Sequence, residues 1–347
     1  MTTDGGARAA PRGRARLSDV AARAGVSPGL VSRLLNNDSS LTVRADTREA
    51  VLAAVRDLDY VPNSTAASLR RNRTDAIGLV LDRVTNPVFT EVVHGAEEAA
   101  AELGYGLLMA DAEEAEKDET FLAGIIKSRR VDGLLLQGGY GPRAAMLQRY
   151  SESIPSVIVN SVGNDAASGV RLEDGEAARL ATAHLVELGH RDIAFVAGTP
   201  GAASDARQRG YEAALVEAGL SVRSGRVVPA GWQAEDGKHA VSELLRSGAS
   251  RPSGYVVGTS VAALGVLSAL AEAGVSVPDD VSVIGIHDPW FAPYLTPALT
   301  TVALPLLELG RRSVLQLMAH LQSGKPEEVV IADPPPRLVV RASTRQR

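Results

Sequence analysis

The sequence predicts a composite fold: an all-α helix-turn-helix headpiece with a short linker helix, then an α/β body of two lobes with parallel sheets covered by helices. Three observations predict it. Residues 1–75 carry 12 Arg against 8 Asp or Glu, a balance of +4 in a 347-residue chain of net charge −5, so the remainder holds −9. Short helical patterns bent around a glycine fill residues 17–58. From Ala76 onward, apolar runs alternate with patterned helical stretches, the rhythm of β–α units whose parallel strands are buried on both faces.

Composition sets the bounds. So long a chain outgrows one small core, and two or three domains are the default. A hydrophobic content of 45% and no cysteine describe a globular protein without disulfides or thiolate metal sites. No apolar run approaches the ~20 residues that span a bilayer. The Arg-rich start lacks the apolar core of a secretory signal, so a cytoplasmic protein without a membrane partner is expected. Net negative charge alone argues against nucleic acid, but the asymmetry favours a basic module on an acidic body.

In chain order, residues 1–16 read as a flexible arm rich in Gly, Ala, Arg and Pro. Three helices are expected at 18–25, 28–36 and 45–58. Ser18 is the expected cap of the first, and Asp46 falls in the first turn of the third. The chain turns near Gly25, which tolerates positive φ. Ser27 then makes a good N-cap and Pro28 a good first helical residue. Val20, Ala21, Ala24, Val26, Val31, Leu34 and Leu35, with Val51, Leu52, Val55 and Leu58, supply one small core. That leaves Ser27, Pro28, Gly29, Leu30, Ser32 and Arg33 facing outward at the start of the second helix. A helix-turn-helix lays this part of its second helix against base edges in the major groove. Arginine bridges guanine O6 and N7, and small hydroxyls suit phosphates. A structural hairpin would show the same glycine turn, so the Arg-rich flanks tip the balance towards DNA.

Residues 63–74, "NSTAASLRRNRT", are expected to form about two helical turns from an Asn63 cap, too short to stand alone in water. They read as a linker that folds only against something. The expected divisions are an arm (1–16), a headpiece (17–60), a linker (61–75) and a body (76–347). In the body, strands are expected at "AIGLVL", at 105–110, and near 131–137, 155–160, 192–198, 226–230, 254–258 and 281–286. So many units imply two lobes, with a ligand cleft at the carboxyl ends of the strands. Enzymatic signatures are missing. "GGYGPR" (138–143) lacks both the Gly-Lys-Ser/Thr ending of a phosphate loop and a full G-x-G-x-x-G. His184, His190, His239 and His287 have no metal-ligand spacing, and no nucleophile elbow is present. No catalysis, cofactor or metal is expected.

The words "DVAARAGVS", "VSRLLN", "TREAV", "LDYVPN" and "AASLRRNRT" fall in the order and spacing of one known family. So do "IGLVL", "NPVF", "HLVELGHRDIAFVAG", "RQRGYEAAL", "VPDDVSVIGIHD", "PALTTVALP", "LG" at 309–310 and "LVVRAST". Over nearly its whole length the chain resembles the lactose-repressor (LacI/GalR) family of transcription regulators. The resemblance implies a helix-turn-helix headpiece, a hinge helix and a periplasmic-binding-protein-like effector domain. Its lobes would span about 76–162 with 293–323, and about 163–292 with 324–347. It further implies a repressor, working as a homodimer or higher oligomer on a double-stranded, pseudo-palindromic DNA operator. A small-molecule effector (a sugar, sugar derivative or other metabolite) would control it. By position, Pro28, Gly29 and Arg33 correspond to base-reading residues, and Ser27, Ser32 and Asn36 to phosphate-binding or supporting ones. Gly29 has no side chain and costs ~1 kcal/mol of helix propensity, which leaves much of the readout to Arg33. Asn63, Ala66 and Leu69 match the hinge helix, whose leucine wedges into the minor groove or packs against the partner hinge. Ala67 stands where relatives commonly carry Arg.

For the effector cleft the resemblance points to Asn86, Phe89, Arg207, Thr259 and His287. The plain alternatives are core packing for Phe89, a surface ion pair for Arg207 and a satisfied structural histidine for His287. Thr259-Ser260 replaces the usual Asn-Asp, and His287 the first Asp of "GFDD". Losing three such groups disfavours a simple neutral sugar. An anionic or differently shaped effector, or loss of ligand response, fits an Arg207–His287 pair better. The same fold serves extracytoplasmic solute-binding proteins, but these need a signal peptide and would not carry the first 74 residues.

Overall fold

The computed structural model describes residues 15–35, 38, 40–60, 73–117, 119–138 and 142–347. The chain divides into two compact units, one up to Arg73 and one from Thr74.

The first unit holds α1 (Leu17–Ala24), α2 (Pro28–Leu35) and α3 (Ala45–Asp57). Helix α1 starts one residue earlier than its sequence pattern indicates. The Asp19 carboxylate reaches back to the Arg16 backbone N–H at 2.8 Å, which satisfies an orphan donor and sets negative charge at the positive helix end. Ser18 therefore lies inside the first turn and is not the cap. Gly25, at φ 68°, closes α1. Ser27 Oγ accepts from Leu30 N at 3.3 Å and opens α2. Val20, Ala21, Val31, Leu34, Val51, Ala54 and Tyr60 are buried together. Leu52, expected in this core, is exposed. The inward stripe of α3 runs Val51, Ala54, Val55, Leu58 at helical spacing, and Leu52 projects beside it.

The second unit contains two six-stranded sheets. The first comprises β1 (Ala76–Leu81), β2 (Gly106–Asp111), β3 (Gly133–Gln137), β4 (Ser156–Val159), β5 (Ala167–Leu172) and β11 (Glu328–Ile331). Their order is β11-β5-β4-β3-β1-β2, all parallel. The second comprises β6 (Ile193–Ala197), β7 (Val227–Pro229), β8 (Gly254–Val257), β9 (Ser282–Ile286), β10 (Thr300–Ala303) and β12 (Arg337–Val339). Its order is β12-β10-β9-β8-β6-β7, parallel except for the β12 edge. Between strands run α4 (Thr90–Glu102), α5 (Ala112–Lys117), α6 (Glu119–Lys127), α7 (Pro142–Ser151), α8 (Asp174–Glu187), α9 (Ala202–Glu217), α10 (Ala234–Arg246), α11 (Ser260–Glu272) and α12 (Leu306–Ser323).

Sheet pairing moves the lobe boundaries. The chain leaves the first sheet after Leu172, returns after Ala303 and leaves again after Ile331, rather than near 162, 292 and 323. The displaced strand, "ASGVRL", has no continuous apolar run, although Ser168 and Gly169 are buried. Hydropathy hides it; pairing with β4 and β11 reveals it. Helices α4 and α12 approach at glycine contacts. A Cβ on Gly310 would meet the Val92 carbonyl at 2.0 Å, and one on Gly95 the Leu307 carbonyl at 2.0 Å. Among the described residues no helix is long and apolar enough to cross a membrane.

Candidate nucleic-acid face and interlobe cleft

In the first unit, Val31 and Leu34 turn inward, so Ser27, Pro28, Gly29 and Arg33 are exposed and Ser32 is half-buried. Arg33 is not free. Its Nε donates to Asp38 Oδ2 at 2.7 Å and its terminal nitrogen to Ser40 Oγ at 3.1 Å. Asp38 also accepts from the Ser40 hydroxyl at 2.6 Å and the Ser40 backbone N–H at 2.9 Å. The Ser40 hydroxyl, then Arg33, hold the Asp38 carboxyl down at about 2. The latch is therefore ionised throughout the physiological range. It is also half-exposed, so water competes for it and a guanine edge can displace it. Asn36, Asn63, Ala66 and Leu69 lie outside the described residues.

In the second unit, Asn86, Phe89, Arg207, Thr259 and His287 all line one cavity. It sits where strands of both sheets end: Asp82 follows β1, Gln137 ends β3, Asn160 follows β4, Thr199 lies just past β6, Thr259 past β8, and His287 follows β9. Asn86 caps the 3-10 turn Pro87–Phe89 by accepting from Val88 N at 3.1 Å, which sets Phe89 on the wall. The cavity also takes in Asp82, Gln137, Asn160, Ser204 and Trp232, which sequence reading passed over. Most of these stand just past a strand's carboxyl end, a signal the strand pattern already carried.

Arg207, on α9, is only 2% exposed. It is no surface pair. Its Nε and one terminal nitrogen donate to Asp174 Oδ1 at 2.8 and 2.5 Å. The other terminal nitrogen donates to the Gly258 carbonyl. The guanidinium also lies 5.4 Å from the Trp232 ring centroid. Asp174, in the first turn of α8, is equally buried. The cation is thus neutralised inside the fold, against the expectation of a charge held ready for an anion.

His287 completes the network. An Arg207 terminal nitrogen lies 3.0 Å from its Nε2, and since arginine only donates, Nε2 bears the lone pair and Nδ1 the proton. Burial, and next the Arg207 charge, push the imidazole well below its ordinary range, so it is neutral at physiological pH. Nδ1 is buried without a partner among the described residues. The backbone there is left-handed, at φ 72°. Ser260 Oγ donates to the Ile286 and His287 carbonyls and holds this turn. Thr259 Oγ1 accepts from Val261 N at 3.4 Å and caps α11. The Thr-Ser pair thus anchors the backbone that carries His287.

A three-helix head with an exposed second helix, followed by two largely parallel sheets with a cleft at their strand ends, defines a DNA-binding regulator built on a binding-protein-like core. Residues 16–63 match the family described as "Bacterial regulatory proteins, lacI family", and residues 182–344 match "Periplasmic binding protein-like domain". The HTH-type transcriptional repressor PurR of Haemophilus influenzae (strain PittEE) is 33% identical over 337 residues, covering 95% of this chain and 99% of that one. The lac repressor dimer bound to operator and the anti-inducer ONPF superposes with a TM-score of 0.78 at 26% identity, covering 96% of this chain and 99% of that chain. The transcriptional regulator CelR–cellobiose complex superposes with a TM-score of 0.69 at 31% identity, over 95% and 100%. The chain belongs to the lacI family of bacterial regulatory proteins. It is a DNA-binding transcriptional repressor with an effector domain, and its relatives are repressors, not enzymes.

Proposed function

We propose that this repressor binds a pseudo-palindromic operator as a homodimer in the cytoplasm, and that a small molecule in the interlobe cleft sets its operator affinity. The headpiece spans 17–60 in this reading. Ser27, Pro28, Gly29, Ser32, Arg33 and Asn36 meet DNA from the headpiece, and Asn63, Ala66 and Leu69 from the hinge at 61–75. Asn86, Phe89, Arg207, Thr259 and His287 hold the effector. The observation that carries the reading is the convergence of these last five, from both sheets, on one cavity. A molecule there touches both lobes at once, so it favours whichever lobe arrangement fits it best. Such an effector acts by differential affinity for two states, and the coupling is reciprocal. The solved lac repressor, a dimer on operator with an anti-inducer, and the CelR–cellobiose complex support the same assignment.

Selection of bound sites from random duplexes, with and without candidate metabolites, tests the reading. The expected product is a pseudo-palindrome with two half-sites, since operator symmetry mirrors protein symmetry. Replacing Arg33 by Ala should cost about 1–3 kcal/mol on that site and relax one base pair in each half. Equal losses on operator and random DNA, or no preferred sequence under any condition, would overturn it.

A further inference from the structure

The cleft's polar groups are unevenly committed, and this points to the chemistry of its occupant. Three amides on its wall each turn their oxygen to the backbone: Asn86 Oδ1 accepts from Val88 N, Gln137 Oε1 from Asp82 N at 2.7 Å, and Asn160 Oδ1 from Leu172 N at 3.2 Å. Facing N–H donors fix these oxygens, so what each amide offers a ligand is its NH2. His287 adds a fourth donor. Its Nε2 is engaged by Arg207 while its Nδ1 is buried and unpartnered. A buried, unsatisfied donor is costly to leave unmade and gains most from a partner.

The charge balance runs the same way. Among the described lining residues the formally charged ones are Asp82 and Arg207. Asp174 cancels the guanidinium from behind, so the charge of Arg207 is already compensated inside the fold. Among the described residues an anion there would meet no unneutralised cation.

We propose that the effector is an uncharged molecule rich in hydrogen-bond acceptors, such as carbonyl, lactone or ether oxygens, and that His287 Nδ1–H is the donor that selects it. This rests on the cleft being the effector site. A family position usually filled by a carboxylate acceptor here carries a donor, so the ligand's polarity at that point is inverted. Among the described residues the ionic group on the imidazole is Arg207, itself tied to Asp174, so selection by His287 does not change with pH in the neutral range.

The test uses the full chain with Trp290→Phe, a substitution at a side chain 70% exposed, so that Trp232 reports on the cleft by fluorescence. The probes are matched pairs: δ-gluconolactone and gluconate, and uridine and uridine monophosphate. Uncharged members should quench Trp232 and alter operator affinity, while their anionic partners should do neither. His287→Asn, which keeps an NH2 donor and suits the left-handed backbone, should retain binding. His287→Asp, an acceptor, should lose about tenfold or more. In the unliganded protein, histidine nitrogen resonances should place the His287 proton on Nδ1 between about pH 5.5 and 8. Equal or tighter binding of an anionic member, a gain of affinity in His287→Asp, or an imidazolium in that range would overturn the proposal and leave the cleft as the effector site. Silence of the whole panel, or compounds that change operator affinity without touching Trp232 fluorescence, would instead count against the cleft itself.

Discussion

Arg207 shows how a cleft-lining residue doubles as a core residue. Its guanidinium, buried beside Asp174, joins α8 and α9 to the end of β8 through the Gly258 carbonyl. Removing one partner of a buried pair strands the other, so Arg207→Ala should lose about 3–5 kcal/mol, read by urea unfolding. An apolar pair at both positions should recover most of that. Histidines give a pH signature. Burial lowers the pKa of His184, His190 and His287 below the ordinary 6.5. The folded state takes up protons less readily than the unfolded chain does. The stability these residues contribute is complete above about pH 6.5 and is lost as pH falls below it. Unfolding midpoints followed from pH 8 to 5 should decline below 6.5, and a flat profile would contradict this. His190, held between the hydroxyls of Ser253 and Ser282, is the natural one to replace by Gln as a control.

Helices α4 and α12 meet where neither can carry a side chain. Gly310→Ala should force them apart at a cost of about 1–3 kcal/mol. Because Leu306 and Leu309 of α12 line the cleft, the same variant should also shift ligand affinity, measurable by the Trp232 signal. Elements with strong local signals were legible from the residues alone. Gly25, Ser27 and Pro28 marked the turn between α1 and α2, and continuous apolar runs marked β1, β3, β6 and β9. Strand β5 was not legible, since its small and polar residues are buried only because neighbouring strands flank it on both sides. The positions Asn86, Phe89, Arg207, Thr259 and His287 came from family words, not from periodicity. What those words could not convey was Asp174, whose pairing with Arg207 neutralises the charge expected of the cleft.

At the level of the entire chain, the repressor must carry an event in the second unit to the segment before it. The exit from that segment is tightly held. Thr74 N and Oγ1 donate to Asp132 Oδ1 at 2.7 and 2.9 Å, and Asp75 N to Asp132 Oδ2 at 2.9 Å. Asp132 lies just before β3, the strand whose far end reaches the cleft at Gln137. One strand thus ties the cleft to the end of the linker. Asp132→Ala should leave effector binding within about twofold while shrinking the change in operator affinity that the effector causes. Titrating operator at saturating and zero effector measures this. An undiminished change would show that the tie is dispensable. The division of labour between a basic head and an acidic body was readable from charge alone, but the three crossings between sheets required the strand pairing.

The left-handed backbone at His287 carries an evolutionary corollary. Few side chains besides glycine, asparagine, aspartate and histidine sit comfortably at such torsions. Descendants that acquire a new inducer or corepressor by altering this spot would draw from a very small alphabet. Freer diversification falls to Phe89, Thr199 and Trp232, whose walls face the same chamber from unstrained chain.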